Sequence, residues 1–171
     1  MRDRFSREHL GITSHHALQF FFDGLKDCVP ESVRKEDIGY PATVLATFSQ
    51  VSCFSQQGIP ASRSLRELHK EFLDPASPIS AFTDFASLQY EMLGAQCLWQ
   101  SGYFSEQRYN SRSLAWYGKI GSRMFLMASQ STVDKEREAK MAKMSLQFDL
   151  WQEAFYRLSV YLSGNMFLLK V

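Results

Sequence analysis

The 171-residue chain has little of what builds metal or disulfide sites. Its only histidines are His9, His15, His16 and His69. No HExxH occurs, and no ExxH pair, which a di-iron bundle needs from two helices. His15 and His16 are adjacent and point in different directions on a helix, so no metal site is expected. Cys28, Cys53 and Cys97 are far apart, each inside an apolar helical pattern, with no CxxC. They read as reduced core thiols, the state expected of a cytoplasmic protein.

Other absences close further classes. There is no GxSxG, and Cys97 lies among Leu93, Leu98 and Trp99, surroundings that raise a thiol pKa. Cys28 falls near a helix C-terminus, the wrong end to stabilise a thiolate. No run approaches the roughly 18 uninterrupted apolar residues that a membrane span needs. The opening Met1-Arg2-Asp3-Arg4 has no apolar run behind its charges, which is not a secretory leader pattern. A net charge of +1 supplies no field for nucleic acid or anionic lipid. Gly118-Lys119-Ile120-Gly121 has the form of a phosphate-clamping turn but lacks flanking strands.

What is abundant is apolar and aromatic surface: 45% hydrophobic residues, with 14 Phe, 7 Tyr and 3 Trp. That is enough for one domain with a sizeable core. The chain is organised around the stretch from Thr132 to Gly164. Met141, Met144, Phe148, Trp151, Phe155, Leu158 and Leu162 recur there at alternating steps of three and four, one stripe of one helix. Leu146, Leu150, Ala154 and Tyr161 form a second line beside it, so this helix is expected to be packed on more than one side. Ser131-Thr132-Val133-Asp134 resembles a capping box at its start. A continuous helix of roughly 31 residues would run roughly 46 Å, leaving its charged first turns to project.

Upstream, residues 1–12 read as a loose arm. Thr13 or Ser14 can cap a helix bearing Ala17, Leu18, Phe21, Leu25 and Cys28, ended by Pro30. Residues 29–39 read as a loop, with Pro41 in the first turn of a helix bearing Val44, Leu45, Phe48, Val51 and Phe54. A short helix with Leu65, Leu68 and Phe72 precedes the Pro75–Pro78 break. Ser80 can open a long helix with Phe82, Phe85, Leu88, Met92, Ala95 and Trp99 inward and Gly102 as its stop. Residues 103–111 are a polar loop. The helix after it carries Leu114, Tyr117, Gly121, Met124 and Ala128, with Gly118 and Gly121 marking close packing or a kink. Residues 165–171 are a short apolar tail. The predicted fold is all-α: a single bundle of five or six helices over 1–171, with the long C-terminal helix central.

Leu93-Gly94, Leu98, Ser101-Gly102-Tyr103-Phe104 and then Tyr117-Gly118 with Gly121 form a small-Gly-aromatic turn followed by a Gly-containing aromatic helix. Over about residues 85–130 this resembles uncharacterised bacterial proteins of similar size. The resemblance implies a small bacterial, cytoplasmic helical domain and no particular activity.

No catalytic residue is assigned, and the balance is against an enzyme. An enzyme would need Glu91, Arg108 or Tyr117 to converge in one cleft. The functional expectation is a non-enzymatic interaction or regulatory protein, with a protein partner or self-association. Its candidate contacts are Tyr103, Arg108, Tyr109, Phe167 and Leu168. The alternative is a small-molecule binder holding haem, a tetrapyrrole or a lipid-like ligand in an aromatic pocket near His15, His16 and Phe21. No cofactor follows from the leading expectation.

Overall fold

The computed structural model describes residues 14–55, 83–103 and 111–164. These form an all-α bundle of six helices and, among the described residues, no strand. The helices are α1 Ser14–Cys28, α2 Lys35–Ser55, α3 Thr83–Leu98, α4 Ser111–Gln130, α5 Lys135–Leu146 and α6 Phe148–Gly164. A π-helical turn, Trp99–Tyr103, continues α3.

Helix α6 is the centre, touching α1, α3, α4 and the π turn. Phe148, Trp151, Phe155 and Leu158 on its stripe are all essentially fully buried. Burying each such side chain stabilises the fold by about 1.5–3 kcal/mol, so this one face supplies a large share of the core. The second line is only half inward. Ala154 is buried, but Leu146 is 87% and Tyr161 62% exposed.

The long C-terminal helix is two helices. Gln147 leaves helical geometry (φ −105°, ψ 18°) and divides α5 from α6. Ser122 on α4 donates its hydroxyl to the Ser145 carbonyl at 3.2 Å, giving a carbonyl beside the break a partner outside its own helix. The hydrogen bonds Gln147 N–H to Lys143 O and Trp151 N–H to Gln147 O persist across the break, so the apolar stripe stays nearly in phase. The cap also differs from expectation. Asp134, not Ser131 or Thr132, caps α5, its carboxylate accepting from the backbone of Glu136 and Arg137. The charged turns do not project, because α5 lies along α4.

Helix α3 runs antiparallel to α4. Ser87 donates to the Ala128 carbonyl at 2.9 Å, Gly94 lies against the Phe125 ring, and Cys97 lies beside Gly121. The inward face is therefore Ala86, Ser87, Leu93, Cys97 and Leu98, while Leu88 and Met92, expected inward, are exposed. Small residues let α4 approach, and that approach decides which face turns in. Phe82 and Phe85 lie outside the residues whose side chains are described. Gly102 is a contact point in the π turn, one residue before its end at Tyr103, since a Cβ there would lie 2.6 Å from Phe155 Cβ. Trp99 stacks between Phe48 of α2 and Tyr103, with ring centroids at 5.9 and 4.6 Å.

Helix α2 starts at Lys35, six residues before Pro41, which is interior. Glu36 and Asp37 in the first turn favour that start. The predicted short helix at 62–72 and the 165–171 tail lie outside the described residues.

Candidate functional site

Three helices enclose a half-open cleft of about 700 Å³. Helix α1 contributes His15, Leu18, Gln19 and Phe22 to one wall, and the first turns of α2 contribute Arg34, Glu36, Asp37, Gly39, Tyr40 and Thr43 to another. Helix α5 brings Glu136, Ala139, Lys140, Lys143 and Met144, and the α5–α6 break brings Gln147 and Trp151. Both that break and the early turns of α2 lie on the cleft wall.

Two tertiary ion pairs hold α5 in place. Lys143 Nζ donates to Asp37 Oδ2 at 2.6 Å, joining α5 to α2. Asp37 also accepts from Arg34 Nε at 3.3 Å. The Lys143 hydrogen bond, reinforced by Arg34, holds the Asp37 carboxyl below the usual aspartate range despite partial burial. Arg137 Nη2 donates to Glu91 Oε2, joining α5 to α3. The Tyr40 phenol hydrogen-bonds the same carboxylate, and burial, then the Glu91 charge, push Tyr40 well above its ordinary value. Tyr40, on the α2 wall, thus joins Glu91 and Arg137, which lie outside the lining, in one cluster.

Trp151 and Gln147 stand one helical turn apart, linked by the Trp151 N–H to Gln147 carbonyl bond. Trp151 Nε1 and Gln147 Oε1 are both buried and have no hydrogen-bond partner among the described residues. Buried polar atoms are normally paired, so two orphans on residues of the same cleft are notable.

His15, His16 and Phe21 do not converge. His15 lines the cleft, His16 is exposed outside the lining, and Phe21 is buried in the core. Phe22 takes the cleft position on α1. Tyr103 is half-buried in its stack with Trp99. Arg108, Tyr109, Phe167 and Leu168 lie outside the described residues. Of the three residues an enzyme would need together, Glu91 belongs to the cluster with Tyr40 and Arg137, and Tyr117 lies on α4, both outside the cleft lining. Among the described residues no group of three or more His, Cys, Asp or Glu could hold a metal ion, and no helix is long and apolar enough to cross a membrane.

The tertiary partners of Asp37 and Glu91 are 106 and 46 residues away, and no local pattern signals pairs that distant. Trp151 was legible as core, whereas its unpartnered nitrogen was not. In comparisons with family models, curated proteins and solved structures, nothing matches this chain.

Proposed function

We propose that the protein is a binding module without chemistry of its own, and that the α1–α2–α5 cleft is where it receives a segment of a protein partner. The observation that carries this reading is the make-up of the cleft. Leu18 and Phe22 offer apolar surface over a floor of buried Met144 and Trp151, ringed by charges of both signs on Arg34, Glu36, Glu136 and Lys140. Such an apolar centre with a polar rim suits a peptide segment better than a bare charged or wholly apolar ligand. The Asp37–Lys143 and Glu91–Arg137 pairs fix the walls in advance, which lowers the ordering cost of binding. The carboxylates around the cleft support binding over catalysis. Asp37 is paired with Lys143 and Arg34 and its pKa is lowered, so it is not set up as a base near neutrality. Cys97 is buried and its thiol pushed up to about 12.

A photo-crosslinking amino acid at Thr43 or Ala139, both exposed cleft positions, tests this in the protein's own host. A defined protein adduct is expected from these positions and not from Arg123, exposed on α4 outside the cleft. Gly39→Leu is expected to abolish the adduct while keeping the fold, because a Cβ at Gly39 meets nothing within 4 Å and the side chain extends from the cleft wall. Equal adducts from all three positions, or none from the cleft, would overturn the reading.

A second reading is favoured by cleft size and by His15 on its wall. A volume of about 700 Å³ is also that of a small-ligand site. A bound small mass in native mass spectrometry, lost in Gly39→Leu, would select it.

A further inference from the structure

We infer that Trp151 and Gln147 form a socket for the main-chain N–H and C=O of one residue of an extended peptide, the Trp151 indole N–H donating to that residue's carbonyl and the Gln147 side-chain carbonyl accepting its N–H. This rests on the cleft being the peptide-binding site and specifies how it binds.

The first support is the pair of orphans. Trp151 is 1% exposed, it lines the cleft, and its only polar atom, Nε1, has no partner among the described residues. A buried donor without an acceptor carries its full desolvation cost, so a ligand acceptor gains an unusually large return there. Gln147 Oε1 presents the opposite polarity in the same condition.

The second support is complementarity. A residue in extended backbone turns its own N–H and C=O to the same side, as in a hydrogen-bonded antiparallel pair. One donor and one acceptor a helical turn apart match that arrangement. Phe22 and Met144 on the facing walls supply apolar surface for the side chains that flank the bound unit. A cleft of about 700 Å³ is sized for a few residues, which is what a socket for one residue's backbone with flanking side-chain contacts requires.

The third support is the α5–α6 break. Gln147 is the residue that departs from helical geometry, and it does so with no Pro or Gly there to force it. The departure places an amide side chain at the cleft one turn before Trp151.

The test uses the full chain and capped pentapeptides, acetyl-Ala-Ala-X-Ala-Ala-amide, with X as Leu, Ile, Met, Phe or Trp. The three tryptophan indole N–H signals are resolved by ¹H–¹⁵N NMR, and Trp151 is assigned by its loss in Trp151→Phe. At least one peptide is expected to move the Trp151 indole signal saturably while leaving Trp116 in place. Its depsipeptide analogue, with an ester oxygen in place of the N–H of X, is expected to bind roughly five-fold more weakly, the size of one lost hydrogen bond. The ester probe acts on unaltered protein, and nuclear Overhauser contacts of the indole N–H assign Trp151 if Trp151→Phe does not fold. Shifts at His15 and Met144 without a Trp151 shift, or equal binding of the ester, would overturn the socket while leaving the cleft as a peptide site. No saturable shift at any cleft residue with any of the five peptides would overturn the socket and, with an absence of cleft crosslinks, the peptide-binding reading as well.

Discussion

Gly121 of α4 sits directly beneath the ring of Phe148 of α6: a Cβ at position 121 would lie 2.3 Å from Phe148 Cε2 and 2.9 Å from Cys97 Cβ. Both neighbours are buried in the core, so neither can swing into solvent. Gly121→Ala is expected to destabilise the protein by about 1–3 kcal/mol through overpacking. Gly118→Ala, one turn earlier, is expected to do the opposite. Its Cβ would meet only Asp149 Oδ1 at 3.6 Å, an ordinary contact, and helix propensity favours Ala by about 1 kcal/mol. Urea unfolding of the two variants checks the sign of each.

Glu91 is shared by Arg137 and Tyr40. Glu91→Gln is expected to cost about 2–3 kcal/mol, because it leaves a partly buried guanidinium without its counter-charge. Tyr40→Phe is expected to cost less, about 1 kcal/mol, since the Glu91–Arg137 pair survives it. A double-mutant cycle on Glu91 and Arg137 reads the coupling. Additive losses would show that the pair contributes no net interaction.

Asp37 makes stability pH-dependent in a defined direction. Its folded pKa lies below the ordinary value of 3.8, with the Lys143 hydrogen bond the main cause. The unfolded chain therefore binds the proton first. The contribution is fully present above the ordinary aspartate value and is lost as pH falls through the lowered folded value. Wild type is expected to exceed Asp37→Asn in stability near neutral pH, by about 1 kcal/mol for a pair still partly open to water. The two are expected to converge in strongly acidic buffer. Unfolding midpoints measured across that range check the convergence.

Cys97 and Cys28 are expected to differ in reactivity. Burial alone pushes the Cys97 thiol up to about 12, and it is fully enclosed. Cys28 is half-buried, and its pKa is raised by desolvation and then by Asp27. Iodoacetamide at mildly alkaline pH is expected to label Cys28 slowly and Cys97 only after denaturant is added. Peptide mapping by mass spectrometry separates the sites. Labelling of Cys97 in the native protein would mean that the α3–α4 contact opens.

The amino-acid sequence by itself determined the elements that depend on short-range spacing. The stripe from Met141 to Leu162, the inward face of α1 and the extent of α4 follow from steps of three and four, because one helix face must leave water whatever it meets. The same spacing, repeated along the chain, pointed to the all-α class for the same reason. Only the tertiary structure decided the rest. It broke the last helix at Gln147, where Ser122 of another helix bonds the Ser145 carbonyl, and neither Pro nor Gly marks the place. It turned Leu88 and Met92 outward, because the small residues of α3 let α4 approach on the other side. It paired Asp37 with Lys143 and Glu91 with Arg137. The cleft holds the Gln147 break and the Asp37–Lys143 pair on its walls, and each of these features depends on groups brought together from distant parts of the chain, where local periodicity carries no information.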